Sequence, residues 1–167
     1  LTPTGGVPMG TRTGDLDPGV IVHLLRERRL SPDQLEHLVN HESGLLGVGG
    51  SADMVELLAR EASGDARARA AVELFSYSLK KQIGAYAAAL GGLDCLVFTG
   101  GIGEHAARIR ELTCSNLSVL GIELDAARNA ENAPLIQAEG SRCQVRVLAT
   151  NEDLVLCRAA LEVARAR

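Results

Sequence analysis

Leu93 to Phe98 is a short apolar run set between the chain's longest helical pattern and a turn dense in glycine. An apolar run of that length, rich in branched residues, predicts a strand buried on both faces, as in parallel sheets. Ahead of it, from Asp65 to about Leu90, the residues Val72, Phe75, Leu79, Ile83, Tyr86 and Leu90 recur at steps of three and four. That spacing predicts one long helix with a continuous apolar stripe, stopped by Gly91-Gly92. Beyond the strand, a Gly-rich turn over Thr99–Glu104 leads into a helix over about residues 105–118 that turns Ile109, Leu112 and Leu117 inward. Residues 125–142 read as polar and irregular. Val145–Thr150 predicts a second buried strand, and Asn151 caps a final helix. This order is that of an α/β domain with parallel strands flanked by helices. Two strands are few for an open sheet, so more are expected on the amino-terminal side.

The first part of the chain is helical between loops. Asp17-Pro18 places a cap and a first-turn proline before a helix that carries Ile21, Leu24 and Leu25 and ends near Arg29. Ser31-Pro32-Asp33-Gln34 has the form of a capping box, opening a helix with Leu35, Leu38 and Val39 inward. Ser43–Ser51 holds four glycines and reads as a loop, with Ser51 capping a helix from Ala52 to about Ala62. Aromatic residues are 2% of the 167, so the core must be aliphatic. The size suits one domain. A net charge of -4 argues against a nucleic-acid partner, which would need a basic face. No apolar run is long enough for a membrane span and no signal peptide is visible, so a cytoplasmic protein is expected. Cys95 and Cys157, among apolar neighbours, read as core residues of a reducing compartment. The chain opens at Leu1 without methionine, which suggests a piece of something longer.

Four segments carry chemistry. In Pro8-Met9-Gly10-Thr11-Arg12-Thr13-Gly14-Asp15-Leu16-Asp17-Pro18, one arginine sits between glycines and hydroxyls. Arg12 either clamps an anion with its planar fork of donors or pairs locally with Asp15 or Asp17. Thr99-Gly100-Gly101-Ile102-Gly103-Glu104-His105 joins a strand to a helix, where free N–H groups can meet a nucleotide. It lacks the Walker and GxGxxG patterns, and tight strand-to-helix turns need glycine in any case. His105 either takes part in that site or is a first-turn residue. Thr150-Asn151-Glu152-Asp153 stands at the carboxyl end of the second strand, able to hold Mg²⁺ or simply to cap a helix. Asp53, in Ser51-Ala52-Asp53, can accept from a nucleotide or favour the first helical turn.

In this order the segments resemble the acetate kinase family, which includes propionate and butyrate kinases. The matching stretches are Met9–Pro18, Ser43-Gly44-Leu45-Leu46-Gly47, Ser51-Ala52-Asp53, Val97–His105 and Thr150-Asn151-Glu152, with Lys80–Tyr86 similar as well. The resemblance covers essentially the whole chain. It implies a ribonuclease-H-like fold of the sugar kinase and actin type, of which residues 1–167 would form the carboxy-terminal nucleotide-binding domain, incomplete at its amino-terminal side. It implies reversible phosphoryl transfer from ATP to a short-chain carboxylate, giving an acyl phosphate and ADP, with Mg²⁺ as cofactor.

By the same resemblance Arg12 stabilises the transferring phosphoryl group. Asp53, Met54 and Val55 bind nucleotide, Gly101, Ile102, Gly103, Glu104 and His105 form the loop against the adenosine, and Glu152 binds magnesium. A homodimer is implied, since the family pairs through this domain. Two features depart from the family: Val55 stands where arginine is frequent, and the Gly-dense loop before Ser51 looks one residue short. The family's other phosphate loop, substrate arginine, catalytic aspartate and transition-state histidine have no counterpart in these residues. The chain alone is therefore expected to be inactive. The alternative is a non-catalytic module that binds nucleotide or self-associates. Acetate, propionate and butyrate are not distinguished.

Overall fold

In a computed structural model the chain is described over residues 4–165, the side chains of Glu152, Asp153 and Val155 excepted. Nine α-helices and two strands are present among these residues: α1 Pro18–Arg26, α2 Pro32–His41, α3 Gly44–Gly49, α4 Met54–Ala62, α5 Ala66–Leu90, β1 Cys95–Phe98, α6 Gly100–His105, α7 Ala107–Cys114, α8 Ala126–Ala130, β2 Gln144–Val147 and α9 Glu152–Arg165. Side chains start most of them. Asp17 accepts from the Gly19 N–H at 2.6 Å. Ser31 and Gln34 form both halves of the expected capping box, at 3.2 and 2.8 Å. Asp65 accepts from the N–H groups of Arg67 and Ala68, and Gly91 closes α5 in the left-handed region at φ 76°. Asn151 Oδ1 accepts from Leu154 N–H at 2.9 Å, as its capping role requires.

β1 and β2 pair in parallel, with Cys95 opposite Gln144 and Phe98 opposite Val147. Two apolar clusters surround this pair. One packs Leu45, Met54, Leu57, Ala68, Ala71, Val72 and Phe75 with Ile109 where α5 meets α3, α4 and α7. The other joins Phe98, Val145 and Val147 to Cys114, Leu117, Ile122 and Ile136. No helix among the described residues is long and apolar enough to cross a membrane.

Several sequence expectations change. The strands are not buried on both faces: β2 alternates strictly, and in β1 only Phe98 is buried while Val97 is 44% exposed. Among the described residues helices cover only one side of the pair. The stripe on α5 is half right: Val72 and Phe75 are buried, whereas Tyr86 and Leu90 are 66% and 73% exposed. The Gly-dense stretch is not a loop but α3. Its glycines have low helix propensity, yet Leu45 is anchored in the core and the N–H groups of Ser43, Leu45 and Leu46 donate to residues 9–11.

Asp53, not Ser51, caps α4, accepting from Val55 N–H at 2.9 Å; Ser51 instead donates to Glu56 Oε2 at 2.7 Å. Thr99–Glu104 is largely the helix α6, and the helix placed at 105–118 divides into α7 and a 3₁₀ turn, Ser118–Leu120. The irregular stretch 125–142 contains α8, capped by Asp125. α1 stops at Arg26, with Arg29 at φ 53°.

The cysteine assignment reverses. Cys95 and Cys157 are exposed, whereas Cys114 and Cys143 are buried. Cys95 points off the uncovered face of β1, a placement the apolar run could not reveal. Burial pushes the Cys114 thiol up to about 12 and raises Cys143 as well. Since the thiolate is the reactive form, a disulfide-exchange reagent at pH 8 should titrate Cys95 and Cys157 in the native protein. Cys114 and Cys143 should react only after guanidinium unfolding. Rapid native labelling of Cys114, read by mass spectrometry, would contradict this packing.

Candidate functional site

Loop 4–15, which carries Arg12, is held from three sides. Its backbone takes α3, through Ser43 N–H to Thr11 O, Leu45 N–H to Met9 O and Leu46 N–H to Gly10 O, each at 2.9 Å. On the α2 side, Thr13 N–H donates to Val39 O at 3.1 Å and Thr11 Oγ1 to Asn40 O at 2.8 Å. Asp15 Oδ1 accepts from Gly6 N–H at 2.6 Å, while its Oδ2 takes Gln82 of α5 at 3.3 Å. Gly44 makes this close approach possible: at φ 60°, a Cβ there would lie 2.1 Å from Met9 O and 2.5 Å from Arg12 O.

The local alternative for Arg12 is not what the structure shows. Asp15 and Asp17 are committed to backbone N–H groups, and among the described residues no ion pair or side-chain hydrogen bond includes Arg12. A half-buried guanidinium on a pinned loop is thus left without a side-chain partner among the described residues. The loop lines no part of the neighbouring cleft but packs behind its edge: a Cβ on Gly10 would be 3.2 Å from the carbonyl oxygen of Ala52, a residue of the cleft lining.

That cleft, about 510 Å³, lies between the start of α4 and the helix α6. Asp53, Met54 and Val55 form one wall, Gly101, Ile102 and His105 the other, with Leu58 and Ala106 between them. Two segments about fifty residues apart in sequence are brought to one apolar concavity with a few polar groups, the ordinary make-up of a ligand site. Asp53 spends one carboxylate oxygen on the Val55 N–H. Gly103 and Glu104 do not line the cleft. Gly103 packs against the end of β1, where a Cβ would sit 3.3 Å from the carbonyl carbon of Phe98. Glu104 Oε1 accepts from Gly100 N–H at 3.0 Å, Thr150 N–H at 2.9 Å and Thr150 Oγ1 at 3.0 Å. The hydrogen bond from Thr150 N–H, above all, holds its carboxyl below the usual range. The side chain of Glu152 lies outside the described residues, although α9 begins there, directly after the turn that Glu104 holds.

One residue of the site region escaped sequence reasoning. Arg110 on α7 has no exposed surface. Its Nε donates to Asn129 Oδ1 at 2.8 Å; Nη1 donates to the carbonyls of Gly103 and Glu104 at 2.8 and 3.1 Å; Nη2 donates to Asn129 O at 2.7 Å and Asn132 Oδ1 at 2.6 Å. All five donors of the guanidinium are used. The acceptors are neutral, and burial lowers the arginine's pKa. Two of them are at the carboxyl end of α6, where a cation is favoured. No local signal marks this role, because an arginine one place after Ile109 reads as solvent-facing.

Strands whose carboxyl ends abut a helix-walled cleft are the arrangement of ligand-binding α/β domains. A sequence profile of the Acetokinase family matches residues 1–158, and the chain belongs to that family. It is 47% identical to an acetate kinase of Leifsonia xyli over 169 residues, covering 99% of this chain and 43% of that protein. A propionate kinase of Citrobacter rodentium is 45% identical over 167 residues, with 99% and 41% covered. The crystal structure of Porphyromonas gingivalis acetate kinase superposes with a TM-score of 0.89 at 38% identity, over 98% of this chain and 42% of that one. The α/β fold is therefore that of the corresponding part of these kinases. The chain spans about two-fifths of the length of the relatives it matches.

Removing Arg110 strands four residues' acceptors in a dry interior. Arg110→Ala should lower the unfolding free energy by about 3 kcal/mol or more, by urea titration. Arg110→Lys should recover only part of that, having three donors and no planar fork. A loss under about 1 kcal/mol would show that the buried network is not stabilising.

Proposed function

We propose that this chain supplies the nucleotide-binding, phosphoryl-facing part of a kinase that moves a phosphoryl group reversibly between ATP and a short-chain carboxylate. In this reading residues 1–167 are the carboxy-terminal nucleotide-binding domain. The observation that carries it is the pairing of the Asp53–Val55 wall with the Gly101–His105 wall, beside a pinned loop whose Arg12 has no partner among the described residues. Relatives named for acetate and for propionate match this chain almost equally, so the acceptor is given as a class.

Phosphoryl transfer is catalysed mainly by positioning and charge neutralisation. The acceptor carboxylate oxygen forms a bond to the terminal phosphorus as the bridging P–O bond to ADP breaks. Arg12 would face the equatorial oxygens on which charge spreads. Because no ion pair among the described residues must be broken and its loop is already fixed, its donors can meet that charge without reorganisation. Asp53, Met54 and Val55 would hold the nucleotide on one side; Gly101, Ile102 and His105 would hold it on the other, with Gly103 and Glu104 completing that segment.

No three His, Cys, Asp or Glu side chains converge on a metal position among the described residues. Mg²⁺ keeps several waters and asks the protein for one or two carboxylates, the rest coming from phosphate. Glu152 is proposed as that carboxylate. The bound ion would neutralise phosphate charge. Self-association is proposed through apolar surface such as Leu156 of α9 and Leu90 of α5, 68% and 73% exposed. A non-catalytic binding module remains the alternative that activity measurements decide.

This chain, assayed with ATP, Mg²⁺ and acetate or propionate in the presence of hydroxylamine, should yield no hydroxamate, while binding a fluorescent ADP analogue. Hydroxamate formation would show that no further residues are needed, and absence of nucleotide binding would defeat the reading of the cleft. In an active protein containing this chain, Arg12→Ala should lower kcat about a hundredfold or more with nucleotide affinity within a few-fold. Near-normal turnover would remove Arg12 from the transition state.

A further inference from the structure

Helix α6 forms one wall of the cleft but has little to hold it by itself. It is six residues long, three of them glycine, and Thr99 at its start makes no side-chain cap. A helix so short is not stable alone, so its placement depends on contacts from outside. At its carboxyl end the buried Arg110 grips the carbonyls of Gly103 and Glu104. At its amino end the Gly100 N–H is taken by Glu104 Oε1. The same oxygen reaches across 46 positions of sequence to the backbone and hydroxyl of Thr150. Thr150 stands two residues before Glu152, at the start of α9. The end of β2 is already joined to the end of β1 by Leu148 N–H on Phe98 O, at 2.9 Å. One carboxylate oxygen therefore ties the two strand-end turns together, while Glu104 itself stays off the cleft lining.

We propose that Glu104 is a positioning residue, a strut that holds the α6 wall of the nucleotide cleft in register with the Thr150–Glu152 turn, and not a ligand of the nucleotide or its metal. The inference rests on the reading of the cleft as a nucleotide site. Its chemistry is specific. Three N–H and O–H donors converge on one oxygen, so what the strut requires is an acceptor at that point more than a charge. A glutamine keeps that oxygen, and an alanine does not. A ligand to Mg²⁺ would behave oppositely, since the ion favours carboxylate over amide.

The test uses the full-length gene product that carries this chain, with kcat, the dissociation constant of a fluorescent ADP analogue and the half-saturating Mg²⁺ concentration measured for each variant. Glu104→Ala should raise the nucleotide and Mg²⁺ constants together, each about tenfold. Glu104→Gln should return both to within about threefold of wild type. Thr150→Val, which deletes only the hydroxyl at an exposed site, should shift both about threefold, and adding it to Glu104→Ala should bring little further loss.

A Glu104→Gln variant as impaired as Glu104→Ala would overturn the strut in favour of a ligand role, as would fully additive losses in the double variant. Should Glu104→Ala fail to fold, Thr150→Val decides: both constants shifted supports the strut, neither shifted overturns it. Wild-type protein that binds no ADP analogue would instead defeat the nucleotide reading itself. Wild-type binding that Glu104→Ala leaves untouched would defeat only the strut.

Discussion

Burying Arg110 removes a full positive charge from water, and the fold around the cleft is arranged to compensate for that. Five donors meet five neutral acceptors drawn from α6, from α8 and from the turn after it. No carboxylate balances the charge among these partners, so the favourable terms are hydrogen bonds to oriented dipoles, chiefly the carbonyl end of α6. Such a network works only when complete, because each missing bond leaves a polar group stranded in a dry interior. Asn129 extends it by donating to Ala107 O at 2.9 Å, at the start of α7. The position of α6, and with it one wall of the cleft, follows from an interaction nearly hidden from the cleft itself.

The second constraint is steric and acts on the other side of the site. Loop 4–15 can lie on α3 because Gly44 has no side chain where Met9 O and Arg12 O approach. Gly10 is similarly placed against Ala52. Backbone hydrogen bonds then fix the loop without using the Arg12 side chain. A cation held in place yet uncommitted is suited to meeting an anion, since ordering it on binding costs little. On both sides of the cleft the residues that do the holding differ from the residues that line it.

Much of the fold was legible because it rests on local rules. The capping box at Ser31–Gln34, the Asp17-Pro18 start, the long α5 with its glycine stop and the parallel relation of β1 and β2 all follow from short-range chemistry and periodicity. Glycine content misled at α3 and α6, where long-range contacts override propensity: Leu45 is anchored in the core, and Arg110 and Glu104 brace α6. Burial misled at β1 and at the end of α5, since a strand or helix pattern shows that a face is apolar but not whether a neighbour covers it. The family resemblance implies nucleotide-binding roles for Asp53, Met54, Val55, Gly101, Ile102 and His105, and the structure gathers these residues around one cleft. Glu104 was named with them, but its side chain turns away to Thr150.

The sequence by itself determined the family, the order of the longer elements and which residues have the chemistry to serve a nucleotide. Those are properties of residue type and spacing, and spacing is read along the chain. Only the tertiary structure decided that Arg12 is free of Asp15 and Asp17, that Arg110 is buried, and that Glu104 spans to Thr150. Each of these depends on which backbone groups meet from distant parts of the chain. Hydrogen-bond donors and acceptors carry no mark of their partners until the fold brings them within about 3 Å.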